Sequence, residues 1–391
     1  MWDGGASTDG RIVSGATRRL GALGWWLVKG LVLSGGSGTR LRPITSTSAK
    51  QLVPVANKPI LFYGLESLAR AGIKEVGIIV GDTAAEVRTA VGDGKRWGLD
   101  VTYITQAAPL GLAHCVFVAR DFLGEDDFVM YLGDNLLRHG VEGFVHSFEQ
   151  QCARANQEGR AAPDCQILLA EVPDPHRFGV AEVGPSGEVV RLVEKPLHPP
   201  SNLALVGVYL FRASVHEAVA SIGPSDRGEL EITDAIQWLI DHGRAVRSEV
   251  VQGYWKDLGQ REALLEGNRM VLEDIEPSVK GVVDQQSRLE GRVVVEAGAK
   301  VVRSVVRGPA IIGEGTVVED SFIGPFTSIY HTCKIRRSEI EHSIVMAETV
   351  IEDAGRLVDS LIGKKVTVGR TPGMPRALRL MLGDQSKVEL P

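Results

Sequence analysis

Several things are scarce in this sequence, and each shortage excludes something. Cysteine occurs four times in 391 residues (Cys115, Cys152, Cys165, Cys333) and never as a CxxC pair, which excludes a disulfide framework and a cysteine zinc site. No apolar run approaches the roughly 20 residues of a membrane span. An excess of positive charge is missing too: a net charge of −6 with pI near 5.9 lacks the basic footprint of a nucleic-acid binder. Histidines with metal-ligand spacing are absent, and no Ser-His-Asp or Cys-His constellation stands out. What remains is ordinary globular material, 44% hydrophobic and 24% charged, which is enough for a large core. At about 150 residues per domain the length suggests two or three domains. A reducing cytoplasm is the expected home, with no membrane and no nucleic acid as partner.

Residues 1–28 stand apart. Basic residues precede a short apolar patch ending in Trp25-Trp-Leu-Val28, a pattern that a signal peptide would share. The patch is only as long as the shortest h-regions and is interrupted by Gly21 and Gly24. The next residues, Lys29-Gly-Leu-Val-Leu33, read as a buried strand opening a cytosolic fold. The segment is therefore expected to be a disordered start-site extension, with Val28 at the position of the true initiator. Mass spectrometry of the native protein that found residues 1–28 would overturn this.

From residue 29 short apolar strands alternate with helical stretches. Gly30–Leu33, Val76–Val80, Val101–Ile104, Phe128–Leu132, Ile167–Val172 and Ala204–Phe211 are strand candidates, rich in Val, Ile and Leu. Leu61–Ala71 and Ala84–Val91 have helical periodicity, and each is followed by a glycine where a helix ends. Alternation of this kind predicts an α/β region over 29–275 with a mostly parallel sheet covered on both faces, and ligands at the carboxyl ends of its strands. The remainder follows another rule. Ile311, Val317, Ile323, Ile329 and Ile335 recur every six residues, with Val305 in phase. Leu289, Val295 and Val301 keep the same step after a four-residue slip, and Ile340, Val345, Val350, Leu357 and Ile362 continue with a blurred phase. A hexapeptide period predicts a left-handed parallel β-helix over 285–370, one inward aliphatic residue per face, followed by a tail at 371–391. The boundary falls at 270–285, after helical Arg261–Leu272.

The chemistry concentrates in the first region. Leu33-Ser-Gly-Gly-Ser-Gly-Thr-Arg-Leu41 follows the first strand directly. Clustered glycines bring backbone N–H groups close to a phosphate, and the next turn favours negative charge. The loop fits neither the dinucleotide fingerprint nor the P-loop, lacking a third spaced glycine and a Gly-Lys-Ser/Thr. It does carry a fixed cation, Arg40, with a second, Lys50, about ten residues on. Two cations flanking a glycine loop at a strand end read as a phosphate clamp. Asp134 ends the apolar strand Phe128–Leu132, where packing has no use for a carboxylate; a helix cap or a metal ligand remain. Mg²⁺ suits one or two carboxylates plus substrate phosphates, and Asp257 is a second candidate ligand. Glu194-Lys195-Pro196 supplies an anion–cation pair suited to sugar hydroxyl and sugar phosphate.

The string Lys29–Leu41 with Lys50-Gln-Leu-Val-Pro54 resembles the opening motif of sugar-1-phosphate nucleotidylyltransferases. Gly133-Asp-Asn135, Phe178-Gly-Val180, Glu194-Lys-Pro196, Gly228–Asp234 and Trp255–Gly259 narrow the resemblance to glucose-1-phosphate thymidylyltransferases, motif after motif from about residue 29 to 270. With the hexapeptide tail, the sequence is most similar to the longer members found in actinobacterial deoxysugar and antibiotic pathways. The resemblance implies a Rossmann-like mixed, mostly parallel sheet and Mg²⁺-dependent transfer of a thymidylyl group from dTTP to glucose 1-phosphate by direct in-line attack. It implies that Leu33, Gly35, Gly36, Gly38 and Thr39 line the nucleotide phosphates, and that Arg40 and Lys50 bind the triphosphate. Gln106 and Gly111, with Gln51 nearby, read the thymine edge. Asp134 and Asp257 hold Mg²⁺. Gly179, Glu194 and the backbone at Leu205 hold glucose, and Lys195 grips its phosphate. Phe178 and Leu205 depart from the Tyr and Val of many relatives, which bears on sugar tolerance. UTP in place of dTTP, or a silent nucleotide-sugar sensor, are the alternatives.

Other residues are set aside. His114 and Cys115 read as core residues, and Trp255 reads as packing or as a sugar platform. His331 and His342 raise an acyl-transfer reading of the β-helix but show no partner, so the β-helix is expected to form a homo-oligomer or serve regulation.

Overall fold

The computed structural model describes residues 28–36, 38–45, 49–370 and 382–389. Of the extension expected at 1–28, residues 1–27 lie outside the described residues and Val28 belongs instead to the first strand; most of the tail expected at 371–391 also lies outside the described residues. The first region runs β1 (Val28–Leu33), α1 (Ile60–Arg70), β2 (Glu75–Val80), α2 (Ala84–Val91), β3 (Asp100–Thr105), α3 (Leu112–Val118), β4 (Asp127–Leu132), β5 (Asn135–Leu137) and α4 (Glu142–Gln157). It continues through β6 (Cys165–Glu171), β7 (Gly179–Val183), β8 (Val189–Glu194), β9 (Leu203–Phe211), α5 (Val215–Ser221), α6 (Ile232–Asp241), β10 (Val246–Val250), β11 (Trp255–Asp257) and α7 (Arg261–Leu272).

The main sheet has the order β8-β7-β9-β4-β1-β2-β3, with β6 paired to β9 and β10 to β6. β1 lies at its centre, parallel to β2 and β4. Its side chains alternate between two cores, as a strand buried on both faces requires. Leu31 and Leu33 join Ile79, Phe128 and Met130 on one side, and Val32 joins Ile78, Val129 and Tyr131 on the other. Each such side chain, fully buried, contributes about 1.5–3 kcal/mol. The sheet is parallel where strands alternate with helices and antiparallel beyond: β9 runs against β4, β6 and β7, and β7 against β8. α1 and α2 end as expected, at Gly72 and Gly92 with φ of 82° and 69°.

From Ser278 to Gly369 the chain forms a parallel β-helix of short strands on three faces. On one face the register links Val294 to Ile311, Ile311 to Ser328, Ser328 to Ile344 and Ile344 to Leu361. A coil is thus one or two residues shorter than three hexapeptides. The interior holds Val295, Val301, Val306, Ile312, Val318, Ile323, Ile329, Ile335, Ile340, Val345 and Ile351. The strict six-residue phase is corrected accordingly: each coil has one five-residue step, except that the coil from Ile335 to Ile351 has two, so Val305, Ile311, Val317 and Val350 miss the interior by one position. Three of them are partly exposed. Ile311 is buried outward, with Ala56 and Leu272 of the first region.

Two polar devices complete this domain. Ser287, Ser304, Ser321 and Ser338 recur at the coil length and form a ladder, each hydroxyl accepting the backbone N–H of the next serine at 3.0–3.2 Å. At the junction, the fully buried Asn268 of α7 accepts from the Ala56 N–H and the Ser328 hydroxyl, both at 2.8 Å, and donates to the Phe326 carbonyl at 3.1 Å.

All four cysteines are buried thiols. Burial pushes the Cys115 thiol up to about 12, and raises Cys165 and Cys333 as well. At pH 8 the Cys115 thiolate fraction is then about 10⁻⁴. A colorimetric thiol reagent at that pH is expected to find no fast-reacting thiol in the native protein and four after denaturation. Rapid labelling of even one native thiol would contradict the burial.

Candidate active site

The parallel strands deliver their carboxyl ends to one place. Beyond Leu33, the buried last residue of β1, Ser34 N–H donates to Ile79 O at 2.9 Å and Gly133 N–H to Leu33 O at 3.0 Å. The glycine loop leaves β1 over Lys50. A Cβ on Gly36 (φ 105°) would lie 3.7 Å from Lys50 Cε, and one on Gly38 (φ 61°) would lie 3.1 Å from Lys50 Cβ. Positive φ and this close approach together explain glycine at both positions. Gln51 donates from Nε2 to Gly35 O at 2.9 Å, so its amide group braces the loop. Of Thr39 only the backbone, in the short turn Thr39–Leu41, lies within the described residues.

Lys50 Nζ sits 2.5 Å from Asp134 Oδ2. Asp257 is brought alongside by a two-strand ladder: β11 runs antiparallel to β5 with Asp257 opposite Asn135, and Leu258 N–H donates to Asp134 O at 3.0 Å. Burial pulls the Lys50 ammonium down, but Asp134, helped by Asp257, more than offsets this and leaves it above its ordinary value. Burial, then the neighbouring Asp134, pushes the Asp257 carboxyl up, against the Gly259 N–H bond at 2.9 Å and the cations Lys50 and Arg40. The acidic pair is thus short of positive charge. Its donors are hard oxygens, and among the described residues no group of three or more His, Cys, Asp or Glu forms a metal cage. Two carboxylates open to substrate phosphates suit Mg²⁺. Arg40 is exposed in its turn and, among the described residues, makes no hydrogen bond or ion pair.

Gln106 follows β3. Its N–H donates to Val80 O at 2.9 Å, its Nε2 to Gly111 O at 3.3 Å, and Nε2 lies 3.1 Å from His114 Nδ1. A Cβ on Gly35 would be 3.4 Å from Gln106 Oε1, so the residue stands beside the glycine loop. Gly111 (φ 104°) packs on Leu230, whose carbonyl would be 2.4 Å from a Cβ there. His114, set aside on sequence, therefore orients the Gln106 amide. With Gln106 Nε2 as donor, the imidazole carries its proton on Nε2.

The third cluster gathers Gly179, Glu194, Leu205 and Thr233. A Cβ on Gly179 would meet Thr233 Cγ2 at 2.7 Å, Leu205 Cδ1 at 3.1 Å and Glu194 Oε2 at 3.2 Å. Glu194 is held by Lys195 Nζ at 3.1 Å and Arg227 Nη1 at 3.0 Å, and accepts from Thr233 Oγ1 at 3.3 Å. Lys195 has φ 40°, and its N–H donates to Phe178 O at 3.0 Å. The sequence reading missed Arg227, Thr233 and Gly207. Gly207 (φ 83°) sits where the β9–β6 register breaks between Leu205 and Tyr209, and a Cβ there would strike Leu132 Cδ1 at 2.6 Å. Trp255 is locked in packing, donating to Asn135 Oδ1 at 2.6 Å with its ring edge-on to Phe178. His342 does have a partner, Asp359 Oδ1 at 2.5 Å, but both lie on the β-helix.

Known proteins resemble this chain over most of its length. The sequence profile of the Nucleotidyl transferase family matches residues 29–274. Glucose-1-phosphate thymidylyltransferases of Streptomyces griseus and Streptomyces antibioticus are 58% and 57% identical over 363 residues, 93% of this chain and 99% of theirs. The crystal structure of a putative glucose-1-phosphate thymidylyltransferase from Bacillus anthracis, in complex with a sucrose, superposes with TM-score 0.57 at 32% identity, covering 64% of this chain and 97% of that one. Glycine loop, cation–carboxylate centre and full-length relatives converge on one assignment: the chain belongs to the nucleotidyl transferase family of enzymes, among the glucose-1-phosphate thymidylyltransferases.

Proposed function

We propose that the enzyme transfers a thymidylyl group from dTTP to α-D-glucose 1-phosphate, giving dTDP-glucose and pyrophosphate. The observation that carries this reading is the Lys50–Asp134–Asp257 centre beneath the glycine loop, with Gln106 beside the loop and the Gly179–Glu194–Thr233 cluster at the ends of β7 and β8. A phosphate oxygen of glucose 1-phosphate attacks the α-phosphorus of dTTP in line, a new P–O bond forms, and the bond to the β-phosphate oxygen breaks. Such transfers depend on positioning and charge neutralisation, so no protein nucleophile is required. Gly35, Gly36 and Gly38 offer backbone N–H groups to the phosphates, while Arg40 and Lys50 neutralise the triphosphate and the leaving pyrophosphate. Asp134 and Asp257 would hold Mg²⁺, which supplies Lewis-acid charge stabilisation at the α-phosphate when bound. Gln106 and Gly111 face the thymine edge, Glu194 and Gly179 the glucose, and Lys195 with Arg227 the sugar phosphate. The β-helix faces left uncovered by the first region are the proposed surface for homo-oligomer assembly.

Pyrophosphate release with Mg²⁺, glucose 1-phosphate and each of dTTP, UTP, ATP, GTP and CTP tests the proposal. Strong release with dTTP is expected, with UTP slower, since a methyl group discriminates by only about 1–3 kcal/mol. Binding of dTTP without any release would sink the enzymatic reading in favour of a sensor. At the sugar end, Gly179→Ala puts a methyl into Thr233 and Glu194 and is expected to raise KM for glucose 1-phosphate about tenfold with KM for dTTP unchanged. Equal shifts in both constants would place Gly179 outside the sugar cluster.

A further inference from the structure

The β-helix reaches the phosphate-binding loop. In the strand Ile344–Val345 and the residue after it, Val345 points into the β-helix core while Ile344 and Met346 point outward and are buried. Their outward cluster contains Leu361 from the next coil, Leu41 and Ile44 from the segment that follows the glycine loop, and Leu264 of α7. Contact is close: a Cβ on Gly363 would lie 3.5 Å from Ile44 Cδ1. A few residues from the C-terminus, a Cβ on Gly383 would lie 3.7 Å from Pro43 Cβ.

This contact is connected to the loop itself. Ile44 N–H donates to Leu41 O at 3.0 Å, Leu41 N–H donates to Gly38 O at 3.0 Å, and the Thr45 hydroxyl closes on the same Gly38 carbonyl at 2.6 Å. From Gly38 to Thr45 the backbone is one continuous hydrogen-bonded turn. Arg40 sits inside it without a side-chain partner of its own among the described residues, so the turn alone sets where its guanidinium starts.

We infer that the β-helix is a positioning element of the active site: Met346, Leu361 and Gly363 hold Ile44, and through the 38–45 turn they hold Gly38 and Arg40 in place for the nucleotide phosphates. The inference rests on the proposed function for its kinetic reading. Ile44 and Leu361 are positioning residues; neither touches substrate. A catalytic group displaced by about 1 Å can cost a hundredfold, so looser anchoring has a measurable price.

The test uses the full chain with Leu361→Ala, a partly exposed site whose truncation is tolerable for folding, and with Ile44→Ala. Both are expected to raise KM for dTTP about tenfold while KM for glucose 1-phosphate stays within twofold, and Ile44→Val is expected to restore most of the loss. Hydrogen exchange at the Leu41 and Ile44 amides reads the same coupling without turnover and is expected to be faster in Leu361→Ala. Unchanged exchange and unchanged dTTP kinetics in Leu361→Ala would overturn the inference, as would parallel shifts in both KM values. A wild-type enzyme inactive with dTTP would instead defeat the proposed function, leaving the exchange result to decide the coupling.

Discussion

Asp134→Ala is expected to lower turnover by about 10³-fold or more, with KM values for both substrates still measurable. The side chain does two things. It is one of the two carboxylates suited to Mg²⁺, and it is the direct partner of Lys50 at 2.5 Å. Its loss leaves a largely buried ammonium with Asp257 as its remaining acidic neighbour, so the cation proposed to meet the triphosphate is no longer aimed. Asp134→Asn separates the two roles, since it keeps the size and a hydrogen-bond acceptor for Lys50 but removes the charge a divalent cation needs. It is expected to be nearly as inactive as Asp134→Ala, while fluorescence-detected binding of dTTP without metal falls less. Adding a chelator to the wild type should reproduce the loss and excess Mg²⁺ should reverse it. Activity of either variant within tenfold of wild type would remove Asp134 from the centre.

Asn268→Leu is expected to cost about 3 kcal/mol of stability. Leucine has the number and branching of heavy atoms of asparagine but more bulk, so some overpacking adds to the loss of polar partners. Asn268 is fully buried and satisfies three groups from two parts of the chain: the Ala56 N–H, the Ser328 hydroxyl and the Phe326 carbonyl. Burying such groups without partners costs about 1–3 kcal/mol each, partly relieved where a hydroxyl can turn to another acceptor. Chemical denaturation followed by tryptophan fluorescence is the measurement, with activity per folded molecule preserved because the side chain lies outside the substrate clusters. A midpoint indistinguishable from wild type would mean that the junction tolerates rearrangement.

Much of the first region was legible because each element carried its own signal. β1 has apolar side chains toward both cores, the early helices stop at glycines, and the loop at Leu33–Leu41 stands out by its glycine-rich composition directly after a strand. Asp134 stood out because a carboxylate at the end of so apolar a strand has no packing role, and the structure sets it against Lys50. The β-helix was readable as a repeat but not in phase. Its strands carry aliphatic doublets, such as Val305-Val306, Ile311-Ile312 and Val317-Val318, so a six-residue comb fits either member. The serines at 287, 304, 321 and 338 held the true coil length, but a small polar residue gives no hydrophobic signal. Ile311 is apolar for a third reason, its contact with Ala56 and Leu272, which no local pattern contains. His114 and Arg227 were hidden differently. Their partners Gln106 and Glu194 are brought to them by loop geometry, and no spacing rule connects them.

The outward patch of Ile344, Met346 and Leu361 has a consequence for the order in which this protein comes into being. Synthesis runs from the amino terminus, so the strands and the glycine loop leave the ribosome long before the residues that brace them. Roughly 300 residues separate Ile44 from Leu361, about 15–60 s at ordinary elongation rates. During that interval Leu41 and Ile44 lack the β-helix part of their cover, and the nascent first region presents apolar surface. A ribosome stalled before residue 344 would hold a chain with every proposed phosphate, metal and sugar group already made, yet without the bracing of its phosphate turn. Competence would arrive at the end of translation, with the last coils.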